Sequence, residues 1–561
     1  MVVPASARIA RAQELRILQR LRRRRGATFA IEASMRAPIF IALLAVSGGA
    51  LAGPSNKSCL VCHNQQLFDA EAFSLSVHAK LDCADCHKGF DFSMHRAKPP
   101  QWSPQESAVI SKVGSRSTAP EAIAACGRCH ESQRDDLAAS IHGRWLREDR
   151  PVAGPLCMDC HGPAHAIPNS SAISVNERKK VFAARCSTCH ENPELIARAG
   201  LSAHPVPGFR DSVHGRLVAL GSDRAPSCFN CHGSHDVAPM SSPASSVAAA
   251  NKTATCAECH KGANANFAAT FTHVPASRIT RPIPHYTVIL FSWLTSLVLT
   301  GLVLHVSLDF GAEARHRWRR RRRRRNGEPE ETASGASRTV VRFDRHQLLQ
   351  HWVLIVSVVT LVATGWPLHG AGVSASRGLV SLFGGVTRAG LIHHIAGIVM
   401  GIAAVYHLVY LTVLAVRNQP FLSMVPTPKD LRDLLANVAY FFDRKQERPR
   451  FGRFMYAEKF DYWAVFWGVA IMFGTGLVRW FPVGFATFLP ASVIEACQIA
   501  HGDEATLAAL ALFVWHLYNV HLRPSVFPMS WVWIDGRIDL KTLEHEHGAE
   551  YDELKEKGKL P

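Results

Sequence analysis

The sequence predicts a mainly α-helical chain in two parts, a loop-rich N-terminal half and a bundle of five transmembrane helices behind it. Three observations predict it. Residues 53–281 are rich in Ala, Ser, Pro, Gly, Cys and His and hold few long apolar runs. Five apolar stretches follow, at 286–308, 350–369, 391–416, 461–482 and 494–520, each near the ~20 residues that a ~30 Å hydrocarbon layer requires. Fourteen of the fifteen cysteines stand in CxxC pairs with His directly behind, all in the first half. At 561 residues there is room for two or three domains.

Residues 1–52 read as a leader. Residues 35–53 (MRAPIFIALLAVSGGALAG) give a short basic start, an apolar stretch and Ala50-Leu51-Ala52 as a small-residue cleavage site. Met35 and Arg36 complete the basic start, so translation is expected to begin at Met35. An uncleaved anchor is the alternative, and for that the apolar run is short.

The export signal places residues 53–281 outside the cytoplasm. A segment with so few apolar side chains has to condense around something else. The motifs supply the candidate. They are CLVCH (Cys59, Cys62, His63), CADCH (Cys83, Cys86, His87), CGRCH (Cys126, Cys129, His130) and CMDCH (Cys157, Cys160, His161). CSTCH (Cys186, Cys189, His190), CFNCH (Cys228, Cys231, His232) and CAECH (Cys256, Cys259, His260) complete the set. Covalent c-type haem attachment needs this spacing, two thiols for the vinyl groups and an adjacent imidazole for the iron. A disulfide framework or tetrahedral zinc pairs would not place a His behind every pair. Residues 53–281 are therefore expected to be a heptahaem cytochrome c domain. The remaining thiol, Cys497, heads an apolar helix and is most simply a small hydrophobe.

Seven irons leave seven sixth positions, and this half holds nine further histidines. Three lie in a repeated Ser-(Val/Ile)-His-(Ala/Gly) phrase at Ser76–Ala79, Ser140–Gly143 and Ser212–Gly215, each upstream of a motif. The repeat makes His78, His142 and His214 the leading distal ligands, followed by His165 and His235 just past their motifs. For His95, His204, His273 and His285 a solvated surface histidine is nearly as good an account. Bis-histidine ligation throughout would give haems that pass electrons and bind no substrate, whereas a site lacking its histidine would be open to ligands.

The formal charge of +18 raises the question of nucleic acid, and its placement answers it. The first 34 residues carry eight Arg against two Glu, and residues 315–325 (RHRWRRRRRRR) carry nine Arg directly after the first span, 282–308. Membrane topology places arginine there, and no nucleic-acid-binding signature accompanies either run. With the basic stretch 429–453, the arginines put the first span running inward, an Arg-rich disordered linker at 309–345 and the tail 523–561 on the cytoplasmic side.

Histidines inside apolar spans are costly and therefore functional candidates. His393 and His407 are fourteen residues apart, which at 100° per residue returns to nearly the same helix face about 21 Å further along. His501 and His516 are fifteen apart on a helix of the same direction. Two such helices can clamp two stacked haems, one near each membrane face. The plainer reading is histidines satisfied by polar partners between helices. His351 lies at the inner depth and competes with His407 for the inner haem. His394 breaks the fourteen-residue phase and ranks as a fallback, and the solitary His305 is most simply structural.

The stretches RFDRHQLLQHW, IHHIAGIVMGIAAVYHLVYL, RFMYAEKFDYWAVFWGVAIMFGTGL and HGDEATLAALALFVWHLYNVHLRPSVFPMSWVWIDGRI resemble the dihaem cytochrome b domain of membrane multihaem quinol:cytochrome c oxidoreductases of metal-respiring bacteria. That domain is itself related to the gamma subunit of formate dehydrogenase. The resemblance covers about residues 341–550; the exported half resembles multihaem c cytochromes only by its motifs and Ser-x-His phrases. It implies a dihaem cytochrome b domain over 346–522, with His351 and His516 on the inner haem, His393 and His501 on the outer, and His407 spare. The family usually has Arg where this chain has His394.

The resemblance further implies two haems b beside the seven haems c, a bacterial inner membrane with the c domain in the periplasm, and oxidation of quinol from the membrane pool. A periplasmic cytochrome or reductase would accept the electrons. Quinol oxidation needs a proton acceptor; Glu504, one turn beyond His501, is the outer candidate, with Glu458 and Asp461 as inner ones. As ordinary interface charges the three are equally well explained. Two rival readings keep the cofactors: reverse flow from a periplasmic donor to quinone, and a non-catalytic anchor that wires a separate reductase to the pool.

Overall fold

The computed structural model describes residues 69–87, 119–147, 154–169, 171–275, 279–326, 338–417, 422–444 and 447–560. The expected leader, the first motif (Cys59, Cys62, His63) and His95 lie outside them. The described residues are mainly helical, with one two-stranded sheet.

The N-terminal half carries short helices, of which the longest, α1 (Val175–His190), ends on a CxxCH motif. Three motifs wind a helical turn closed by their own third residue. The carboxylates of Asp85 and Asp159 and the amide oxygen of Asn230 accept the backbone N–H of Asp82, Leu156 and Ser227 at 2.8–2.9 Å. A helical turn brings the i and i+3 thiols onto one face.

The repeated Ser-x-His phrase is a corner. Ser212 Oγ donates to Phe209 O at the end of α2 (Pro205–Asp211) and accepts Gly215 N–H at the start of α3 (Val213–Ala219). Ser140 repeats both bonds with Leu137 and Gly143. A Cβ on Gly143 or Gly215 would meet a carbonyl oxygen at 1.9 or 2.0 Å, so only glycine closes this turn. The first copy has Ala79 there and forms turns instead.

Among the described residues five helices are long and apolar enough to cross a membrane: α5 (Pro282–Arg325), α6 (Arg345–His369), α7 (Val386–Val416), α9 (Tyr456–Trp480), and α10 (Ala491–Ala511) prolonged by π-helical turns to Leu522. Helix α6 packs on α7, α7 on α9, α9 on α10 and α10 on α6, closing a four-helix bundle with α7 and α10 on one diagonal. Helix α5 lies outside it against α10.

The first span does not stop at residue 308 but runs on as helix through the arginine run, so 309–325 is no disordered linker. Arginine is a good helix former, and the extension has partners. Asp309 and Glu313, both buried, receive Arg448 at 2.6 and 3.1 Å, and Asp309 also receives Arg523 and the Tyr518 hydroxyl. Ala312 packs on Tyr440 and Phe441 of α8 (Pro428–Phe441), and Arg319 pairs with Asp443. The tail folds back on the same end. Strand β1 (Thr339–Val341) pairs antiparallel with β2 (Arg537–Asp539), and buried Arg342 reaches Glu550 at 2.7 Å.

The opposite end of the bundle carries the Cys/His-rich half. Leu220, just past α3, is buried with Ala371 and Val380. Phe267 of α4 (Ala265–Thr270) joins Val478, Ala486 and Ile494, with Cys497 packed against them as a small apolar side chain. Asn264 and Asn266 both donate to Ala486 O, and Arg281 pairs with Glu495. All four clusters of buried apolar side chains among the described residues include membrane-half residues. Among its described residues the N-terminal half has no such cluster of its own.

Candidate functional site

The described residues of the N-terminal half bring their histidines together in pairs. Each of the six described motif histidines faces one histidine from outside the motifs. The pairs, with ring-centre separations, are His87–His165 at 6.1 Å, His130–His78 at 6.3 Å, His161–His235 at 5.8 Å, His190–His142 at 6.3 Å, His232–His273 at 5.9 Å and His260–His214 at 6.1 Å. The pairing is one to one. His204 and His285 stand outside it; His285 Nδ1 lies 2.9 Å from Ile279 O. His273 is thus brought to a motif histidine although no repeated phrase surrounds it.

The bundle holds two more pairs. His393 of α7 and His501 of α10 face each other across the diagonal at 6.4 Å, towards the end that carries the N-terminal half. His351 of α6 and His516 stand 6.4 Å apart towards the far end. His407 joins neither pair. Its Nδ1 lies 2.7 Å from Gln350 Oε1 and its Nε2 2.8 Å from the Tyr462 hydroxyl. His394 stacks on Trp480 at 4.2 Å, and His305 is held by the Tyr456 hydroxyl at 2.8 Å among Phe441 and Trp515.

The residues fit haem iron. Two imidazoles on opposite faces of one iron, each nitrogen about 2 Å from the metal, stand with ring centres about 6 Å apart, the separation found in all eight pairs. No group of three or more His, Cys, Asp or Glu converges on a bare-ion site among the described residues. Burial pushes His142, His161, His165, His190, His232 and His260 below the ordinary imidazole value, and His214 and His273 down to about 4. These rings are therefore neutral at pH 7, the form that binds metal.

The bundle pairs carry supports that fix the ring. The Thr364 hydroxyl donates to Thr360 O at 2.7 Å, so its oxygen is free to accept from His393 Nδ1–H at 3.0 Å. Thr475 does the same with Ile471 O and His501 Nδ1, at 2.6 and 3.0 Å. Each threonine precedes a glycine on which a Cβ would meet the same ring, at 3.0 Å for Gly365 against His393 and 3.3 Å for Gly476 against His501. Both rings thereby keep Nε2 unprotonated and aimed into the bundle. At the far pair, Asp461 accepts from His516 Nδ1–H at 3.1 Å.

His516 ends a π-helical segment, Leu512–His516. At 100° per residue, fifteen residues overshoot four full turns by roughly 60°, and the wider i→i+5 turns take up that excess. His501 and His516 can then face the same interior.

The carboxylates of interest divide. Asp461 supports His516, and Glu458 accepts the Met455 N–H at the head of α9 and lies 3.4 Å from Arg342. Glu504 is buried against Gly468, where a Cβ would meet its Oε1 at 3.0 Å.

The motifs follow one another in space as in sequence. Arg128 donates to Asp85 O and Cys86 O, tying the second motif to the third. The thiols of Cys126 and Cys157 lie close together, as do those of Cys186 and Cys228. Cys160 lies in electrostatic reach of Cys189, and Cys231 of Cys256. His214, at the start of α3, puts the last motif's pair on the element that packs against α6. No protein-family model matches the sequence, and no curated protein matches it significantly.

Proposed function

We propose that this chain is a membrane-bound quinol-oxidising oxidoreductase that delivers electrons to a periplasmic acceptor, of the dihaem b and multihaem c type that its sequence resembles. The observation that carries the reading is the set of histidine pairs, His351–His516 and His393–His501 in the bundle and six more at the described motifs, the last of which, His214–His260, has His214 on the helix that packs against α6. Haem iron held in these pairs supplies one-electron transfer.

The chain's own residues do the rest. Quinol oxidation releases two electrons and two protons, and Glu504, inside the bundle one turn from His501, takes a proton. Thr364, Thr475 and Asp461 hold the imidazoles in one tautomer. Helices α3 and α4, docked on the bundle, remove any need for diffusion between the two redox parts. The far end, with its nine-arginine helix, faces the cytoplasm under the positive-inside rule.

The test is oxidation of a quinol analogue by the purified chain with an artificial one-electron acceptor. Turnover that disappears in Glu504→Gln at pH 7 supports the reading. Absence of turnover in the fully haem-loaded chain favours an anchor that serves a separate reductase. Midpoint potentials rising from the b set to the c set support outward flow, and the opposite order supports reduction of quinone.

A further inference from the structure

Between the last motif's pair and the outer bundle pair lie two arginines, Arg216 and Arg479, that make no ion pair among the described residues. Arg479 sits one helical turn beyond Thr475, on the membrane-surface side of the His393–His501 pair, and its guanidinium donates to Gln498 O at 3.2 Å. No carboxylate lies within ion-pair distance of it among the described residues. Arg216 projects from α3, two residues after His214 and one turn before Leu220, which packs with Leu368, Ala371 and Val380 at the end of α6. The two guanidiniums are in electrostatic reach of each other, and Arg479 of both His393 and His501. Asp503 is in electrostatic reach of His369 and of Arg216.

Two cations in electrostatic reach of each other at a partly buried junction repel, and an anion between them offsets both that repulsion and the desolvation of the guanidiniums. The protein supplies no anion to Arg479. A haem carries two propionate carboxylates on one edge, and guanidinium is the side chain that binds carboxylate with two parallel bonds. The surface-facing side of the His393–His501 pair, where Arg479 stands, is the side on which charged groups are least costly in a membrane.

We propose that Arg479 and Arg216 form the propionate seat of the haem held by His393 and His501, with Arg216 reaching it from the N-terminal half. The seat locks the two halves together electrostatically at the point where electrons cross between them, and its positive charge favours the reduced state of that one haem. This inference rests on the haem reading above.

The test uses the full chain with Arg479→Gln, Arg216→Gln and Arg479→Lys, reading haem b content by pyridine haemochrome and the two b midpoint potentials by redox titration. In Arg479→Gln the reduction equilibrium of one b centre falls about tenfold, which for one electron is 59 mV, while the other b centre is unchanged. Arg216→Gln lowers the same centre, and Arg479→Lys restores most of the difference. Unchanged potentials in both Gln variants with haem b retained overturn the seat. So does loss of haem from Arg479→Gln while Arg216→Gln titrates as the parent does. A parent chain without haem b overturns the underlying haem reading instead.

Discussion

Thr364 Oγ1 stands 3.0 Å from His393 Nδ1 while its own proton goes to Thr360 O, so the imidazole is the donor and its Nε2 is left as a lone pair facing the bundle interior. The same relationship recurs between Thr475 and His501. A threonine followed by glycine thus serves each half of the outer pair, one residue fixing the tautomer and the next leaving room for the ring.

Thr364→Val keeps the shape of the side chain and removes the acceptor. Haem b retention at one of the two b centres should weaken by about 10- to 100-fold, the usual effect of deleting a support behind a metal-binding imidazole. Gly365→Val should do the same by driving a side chain into the His393 ring. Haem b content on dilution into detergent checks both, and full retention in Thr364→Val contradicts the assignment.

His273 faces His232 at 5.9 Å. His273→Ala should convert one c centre from low spin to high spin while the total c content stays the same. Electron paramagnetic resonance of the oxidised protein reads the change directly, and an unaltered low-spin count would remove His273 from the set.

His351 and His407 lie at similar depth, yet only His351 faces His516. His351→Ala should lose one haem b of two, and His407→Ala should keep both. The reverse pattern in the haemochrome ratio would exchange their roles.

His547 is buried in the tail, with its Nδ1 2.9 Å from Gly452 O and Arg342 beside its Nε2 at 3.1 Å. Burial first, and the Arg342 charge second, push it down to about 4 from an ordinary 6.5. The unfolded chain takes up this proton below about 6.5 and the folded chain only near 4. The contribution of His547 to stability is therefore complete above that window and lost as pH falls through it. The thermal midpoint in detergent should fall from pH 7 to pH 4 with a one-proton component that His547→Gln lacks, and equal slopes in the two proteins would contradict this.

The five spans were legible because burial in a bilayer imposes length and composition directly on the sequence. The motif cysteines were legible because all seven CxxCH motifs keep one fixed local spacing. The extension of α5 through residues 309–325 was not, because it depends on Arg448 and Arg523 meeting Asp309 and Glu313 from distant parts of the chain. Nor was the choice between His351 and His407, which the helix phase alone leaves open. It is decided by which helices are neighbours, and by the π-helical turns that re-aim His516. His273 has no local phrase to mark it; it is brought to His232 where the chain beyond α4 lies against Gly208 of α2. The Thr-Gly pairs at 364–365 and 475–476 were visible as residues, but their meaning needed the rings opposite them.

The central claim is that iron porphyrins fill the spaces between these histidines. A pyridine haemochrome spectrum of the chain, expressed with an intact haem-ligation system, measures it most directly. The spectrum should show seven haems c and two haems b per chain; a colourless protein, or a c count far below seven, would rule the porphyrins out.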